Sequence, residues 1–208
     1  MKILWSSPFS TLLLLVLMGV GCSIRPSHIA IQPMGGFPMH LTDTVANALK
    51  EVYGCSVQVL PYLDIPEHTF IHVKSPRYRA DKLIRYLKAN KPDQVDYVIG
   101  LLQKDISTTK YDKWGNVKLP TSKYEDWGIF GLGFRPGPSC VVSTFRFKNR
   151  EPSKFISRLK KISVHEIGHN LGLTHCPDKN CVMTDAAESI RTIDQVVLGL
   201  CEKCTKSL

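Results

Sequence analysis

The sequence predicts an α/β (α+β-like) fold: a single domain with a small twisted sheet backed by helices. Three observations predict it. A chain of 208 residues with 43% hydrophobic content suits one domain with its own core. Runs of strand length and strand period alternate with stretches of helical period along most of the chain. The longest helical pattern comes late, after the last strand, and carries the densest group of chemically active residues. No internal repeat or low-complexity segment interrupts this order.

The first residues stand apart. Lys2 gives a positive start, residues 9–20 are mostly apolar, and Gly19, Val20 and Gly21 lead to Cys22. A run of about twelve apolar residues falls short of the ~20 needed to cross a bilayer. A secretory signal over 1–21 is therefore expected, followed by a tether over 22–27 and the folded domain over 28–208. Cys22 resembles the acceptor cysteine of a bacterial lipoprotein, although Gly19 departs from the larger aliphatic residue usual three positions earlier. Lipidation of Cys22, an ordinary cleaved signal and an uncleaved anchor all remain open. The expected location is outside the cytoplasm, either anchored at a membrane through Cys22 or periplasmic or extracellular.

Residues 28–32 form the first predicted strand. Thr42 or Asp43 can cap a helix running to Tyr53, with Val45, Leu49 and Val52 on one face, and Gly54 ends it. Residues 56–60 alternate as a strand that Pro61 terminates. Segment 64–77 holds Pro66 and Pro76 and reads as mostly loop. A second helix is expected over 78–89, with Leu83, Ile84 and Leu87 inward. Residues 97–102 make an apolar strand central to the sheet. Segment 105–127 is polar, with a turn at 114–116; it reads as a surface excursion or as a lid carrying Trp114, Tyr124 and Trp127. Residues 128–134 form a glycine-rich strand and 140–145 a further apolar one. Pro152 opens the long helix, burying Phe155, Ile156, Leu159 and Ile162. A last helix is expected over 192–199.

The long helix ends in HEIGHNLGLTH over 165–175. His165 and His169 are one turn apart, so both imidazoles leave the same face. Glu166 can reach a water on a shared metal without being a ligand. Gly172 can take the positive φ that turns the chain back and brings His175 to the pair. Three neutral imidazoles leave one position open, which marks a catalytic rather than a structural zinc site. The full HExxHxxGxxH pattern is the metzincin form of the zincin motif, which also requires a methionine turn; Met183 is placed for it. Downstream, Cys176, Cys181, Cys201 and Cys204 form a compact four-cysteine cluster that suits a tetrahedral structural zinc or, in an oxidising compartment, two disulfides. The spacing favours zinc.

The run 165–204 resembles the archaemetzincin signature in residues and gaps. The resemblance implies a metzincin-like domain with a small mixed sheet, an active-site helix and a C-terminal segment held by a four-cysteine zinc site. It implies two Zn2+ ions, one on His165, His169 and His175 and one on the four cysteines. It also implies Glu166 as general base, Met183 as the Met-turn residue and hydrolysis of peptide bonds. By the same resemblance a substrate chain lies along an edge strand by β-addition, a role that falls to Gly131, Leu132 and Gly133. Endopeptidase and aminopeptidase action both stay open; the latter needs an acidic anchor, for which Glu125, Asp126 and Asp185 are candidates. Tyr124 is one candidate for stabilising the oxyanion. The alternative of another class is an exported zinc-binding adaptor that keeps the fold without hydrolysis.

The formal charge of +9 gathers in two clusters, one from Lys74 to Lys91 and one from Arg146 to Lys161. With no nucleic-acid motif beside them, they read as solvated helix faces rather than as a surface for an anionic partner or membrane, and no nucleic acid is expected. His28, His40, His68 and His72 have no partner motif and read as surface or structural residues. Cys55 and Cys140 read as small core residues or as a disulfide, with the core reading favoured. A peptide or protein substrate and a monomeric chain are expected.

Overall fold

Strands β1 (His28–Pro33), β5 (Tyr97–Leu102) and β9 (Ser139–Ser143) are the most fully buried of the described strands, and they form the centre of the main sheet. The structure is a computed structural model that describes residues 26, 28–147, 149–186 and 189–208. The leader expected over 1–21, Cys22 and most of the 22–27 tether lie outside the described residues, as does Lys148.

The main sheet has the order β2-β1-β5-β9-β8, with β2 at Ser56–Val59 and β8 at Gly131–Gly133. Its first four strands are mutually parallel, and β8 runs antiparallel to β9 at one edge. Both faces of the centre are covered, which is why β5 reads as a continuous apolar run. Ile29, Ile31, Ile99, Leu101 and Val142 face helices α1 (His40–Tyr53) and α4 (Pro152–Asn170). Ala30, Val98, Leu102 and Val141 face α2 (Ala80–Ala89). The period of two along each strand thus divides the interior into two cores. Cys55 and Cys140 are buried free thiols in the first core.

The expected single sheet is in fact two. A second, four-stranded sheet has the order β3-β4-β6-β7, from Phe70–His72, Pro76–Arg79, Ile106–Thr108 and Trp127–Ile129. Segment 64–77 is therefore not mostly loop. Pro76 is the first residue of β4, a place where its missing N–H is tolerated. Tyr78 and Arg79 belong to β4, so α2 starts at Ala80 rather than at Tyr78. The glycine-rich run expected as one strand splits at Phe130, its halves joining different sheets. Segment 105–127 contributes β6 and a short helix, α3 (Thr121–Tyr124).

At the C-terminus, the helix expected over 192–199 is replaced by α5 (Ile190–Gln195) and α6 (Glu202–Lys206). Backbone bonds explain the interruption. Val197 N donates to Asn180 O at 2.8 Å, and Val182 N to Gly199 O at 2.9 Å. These long-range bonds need extended backbone and override local helical preference.

Helix α4 is fastened on three sides. Tyr53 of α1 donates its hydroxyl to Val164 O at 2.6 Å. Arg158 makes a two-point ion pair with Asp194 of α5, at 2.7 and 2.6 Å, and Lys161 Nζ reaches Ile193 O at 3.0 Å. Both cations are buried, so this part of the second basic cluster is not a solvated face. Asn170, at the helix end, donates to Phe134 O at 3.0 Å and Ser139 O at 2.8 Å, clamping the β8–β9 hairpin. Replacing Asn170 with Ala removes both donors from a buried position. We expect a loss of about 1–3 kcal/mol, seen as a lower urea midpoint at unchanged m-value; an unchanged midpoint would show that the hairpin holds without the clamp.

Candidate active site

The end of α4 delivers the histidines. His165 and His169 leave one face of the helix, and Gly172, at φ 93°, reverses the chain. Leu173 N donates back to Gly168 O at 3.0 Å and Gly172 N to His169 O at 2.9 Å, closing the turn that the sequence anticipates. His175 then meets the other two, and ligating atoms of all three lie within 4.8 Å of one another.

The protonation of two rings follows from their partners. His165 Nδ1 lies 2.8 Å from Val182 O, and His169 Nδ1 lies 2.8 Å from Leu173 O. A carbonyl only accepts, so each Nδ1 carries the proton and each Nε2 keeps a free lone pair. Burial, helped by the neighbouring His169, lowers the His165 pKa to about 4; burial also lowers that of His169. Both rings are therefore neutral near pH 7, the form a metal requires. His175 is more exposed, with Nδ1 3.6 Å from Asp185 Oδ2. The donor set fits an open zinc site.

Glu166 is buried beside these rings, and burial alone pushes its carboxyl up to about 8. A divalent cation on the adjacent histidines opposes that shift and favours the carboxylate. Glu166 sits directly against β8: a Cβ on Gly131 would come 2.6 Å from its Oε1 and 2.8 Å from its Cγ. Leu132 faces the other core, so the glycines of β8 are the residues turned to α4.

The four cysteines converge as expected. Cys176 and Cys201 sulfurs are 3.7 Å apart, and Cys181 and Cys204 sulfurs 3.8 Å. A tetrahedron of sulfurs at ~2.3 Å from zinc has edges of about 3.8 Å, whereas a disulfide needs ~2.0 Å. All four are free thiols, so the disulfide alternative is not what the structure holds. The two sites share a segment. Cys181 precedes Val182, whose carbonyl fixes His165, and Met183, which is fully buried against Gly168 between the two helical histidines. Cys176 N in turn donates to Met183 O at 2.8 Å.

The histidines and Glu166 open on a cleft of about 740 Å³, whose wall includes Trp127, β8, Arg146 and Asp185. Of the three proposed amine anchors, Asp185 alone lines it. Asp126 is buried in an ion pair with Arg77, and the Glu125 carbonyl accepts from Arg79. Tyr124 stacks on Trp127 and does not line the cleft. Trp114 is 75% exposed, so the tip of the 105–127 excursion is surface while its root borders the cleft. Sequence reasoning missed Arg146, Lys161 and Asn170, because their partners are distant in the chain.

A sequence profile described as peptidase family M54 matches residues 39–208. The chain belongs to this family, the archaemetzincins. It is similar to the archaemetzincin of Halobacterium salinarum, 30% identical over 190 residues that cover 87% of this chain and 99% of that one. The archaemetzincin of Haloquadratum walsbyi is 31% identical over 189 residues, covering 86% and 98%. Among solved structures, the archaemetzincin of Methanopyrus kandleri superposes with a TM-score of 0.68 at 28% identity, covering 91% of this chain and 96% of that one. The archaemetzincin of Archaeoglobus fulgidus, complexed with malonate, gives 0.66 at 27% identity, covering 87% and 99%. The family assignment makes the chain a zinc-dependent peptidase, hence a hydrolase acting on peptides or proteins, with residues for two zinc ions.

Two variants test the geometry. Gly131→Ala forces the Glu166 side chain out of place; kcat is expected to fall about a hundredfold with zinc content unchanged, measured by peptide hydrolysis and metal analysis. Cys201→Ser removes one sulfur and loosens the shared segment. It is expected to lower Tm and to weaken retention of both ions against a chelator; loss of one zinc with full activity would contradict the coupling.

Proposed function

We propose that the chain cleaves peptide bonds in a substrate laid along β8, with Glu166 as the general base. One observation carries this reading: the Glu166 carboxyl, the three histidines and the edge strand β8 meet in one cleft. Among the described residues β8 pairs only with β9, so its outer edge is open to an extended peptide by β-addition.

His165, His169 and His175 would hold the catalytic zinc, which supplies Lewis acidity that activates a water near neutral pH and polarises a carbonyl. Glu166 takes the proton of the attacking water at its carboxylate and returns it to the leaving amine. The backbone N–H and C=O groups of β8 align the substrate so that its scissile bond passes Glu166. Val182 O and Leu173 O hold two rings in the ligating tautomer. Cys176, Cys181, Cys201 and Cys204 would hold the second zinc with no open position, a structural role. One chain supplies all these groups, so the mechanism needs no second copy, and a monomer belongs to the same proposal.

We read the cleavage as internal. Asp185, which alone of the three candidate anchors lines the cleft, is already beside His175, and cations outnumber it among the described wall residues. Export belongs to the same proposal and is supported by the apolar run of 9–20 and by Cys22. The mass of the mature N-terminal peptide distinguishes a lipidated Cys22 from a plain cut or a retained leader.

The test is mass-spectrometric cleavage profiling. Zinc-loaded protein and its Glu166→Ala variant are incubated with a diverse peptide library. Internal cuts made by the wild type alone are expected. Identical profiles for both proteins would overturn the peptidase mechanism, and stepwise loss of N-terminal residues would overturn internal cutting.

A further inference from the structure

One cation in the cleft wall is built differently from its neighbours. Arg146 donates from Nε to Asp105 Oδ1 at 2.6 Å and from Nη2 to Asp105 Oδ2 at 2.7 Å. Asp105 is itself fixed, 6% exposed and accepting from Arg77 Nε at 2.8 Å. Arg77 continues to Asp126 Oδ2 at 2.9 Å. The guanidinium is pressed against β7, where a Cβ on Gly128 would fall 2.0 Å from its Cζ. The arginine is thus locked by a carboxylate that another arginine already neutralises.

A guanidinium has five N–H donors, and Asp105 takes two of them. Among the described residues no protein acceptor takes Nη1, and the side chain is 29% exposed where it borders the cleft. The other cations of the wall are differently disposed. Lys161 donates to the carbonyls of Ile193 and Asp194. Lys110 feels the charge of Asp185, and Arg135 lies exposed past the end of β8. Among the described cations of the wall, Arg146 combines a fixed position with unused planar donors, the arrangement that reads carboxylates.

Its distance from the chemistry can be bounded. Gly128 touches Arg146 and Gly131 touches Glu166, and three residues of chain span at most about 10 Å. A peptide lying along this wall would therefore meet Arg146 within about three residues of Glu166.

We propose that Arg146 binds a substrate carboxylate within about three residues of the bond that is cut, so that the cleft selects acidic peptides. The proposal rests on the reading of β8 as the substrate-bearing strand. The carboxylate is that of an Asp or Glu side chain or of the peptide's C-terminus; the recognition chemistry is the same.

The test uses the full zinc-loaded chain and paired peptides that differ by Glu against Gln at each of three positions on either side of the cut. Each peptide is made with a free and an amidated C-terminus. Cleavage is read as kcat and KM. Binding is read separately by fluorescence anisotropy on the Glu166→Ala protein, which does not turn peptides over. A preference for Glu of roughly tenfold or more at one position is expected, mainly in KM and Kd. It should fall to near unity in Arg146→Gln and return in part in Arg146→Lys. Asp105 keeps Arg77 in both variants, so zinc content is expected to stay at the wild-type level while Tm falls; if Arg146→Gln fails to fold, Arg146→Lys supplies the comparison through its weaker preference. A preference that follows the free terminus rather than the side chain assigns the site to terminal carboxylates. No charge preference in wild type, or one undiminished by either substitution, overturns the proposal while leaving the peptidase intact. Arg146-dependent binding without any cleavage overturns the peptidase instead.

Discussion

The close approach of strand β8 to helix α4 is the constraint on which the rest of the site depends. At Gly131 no side chain can stand between the strand and the Glu166 carboxyl, because even a methyl group would overlap it. Leu132, between the two glycines, points into the opposite core and anchors the strand there. Asn170 closes the contact from the helix end with two hydrogen bonds to the hairpin backbone. One side of β8 is spent on β9, and among the described residues no strand pairs with the other, which shares the cleft with the histidines. The same packing that builds the sheet edge sets the Glu166 carboxyl directly against that strand.

A second dependence links the two metal sites. His165 takes its tautomer from Val182 O, and Val182 lies between Cys181 and Met183. The sulfur cluster fixes the ends of a segment that would otherwise be an irregular loop, since α5 and α6 are short and α5 stops at Gln195. A structural ion on the four cysteines would do the work that a longer helix or a larger core does elsewhere. The segment it would hold carries the Val182 carbonyl that meets His165 and the buried Met183.

The chemistry was legible in the sequence because it is local. His165, Glu166, His169, Gly172 and His175 occupy eleven consecutive positions, and helical geometry with one positive φ suffices to bring them together. The four cysteines were legible by spacing. The main sheet was legible through the continuous apolar character of 97–102 and its neighbours. The second sheet was not, because Pro66 and Pro76 suggested a loop, and because β4 and β6 are parallel neighbours whose pairing is set by tertiary contact. The split between β7 and β8 was hidden in one glycine-rich run. The basic clusters misled most. Arg77, Arg146, Arg158 and Lys161 look like solvated charges in sequence, yet each is fixed by a partner at least 28 residues away.

The central claim is that one short chain holds two zinc ions in unlike surroundings, the sulfur site shaping the histidine site. X-ray absorption at the zinc edge of the wild-type protein tests it most directly. The account requires two ions per chain and a mixed shell, with sulfur near ~2.3 Å and lighter atoms near ~2.0 Å in roughly equal parts. A shell of nitrogen and oxygen alone, with one zinc per chain and the cysteines oxidised, would contradict it.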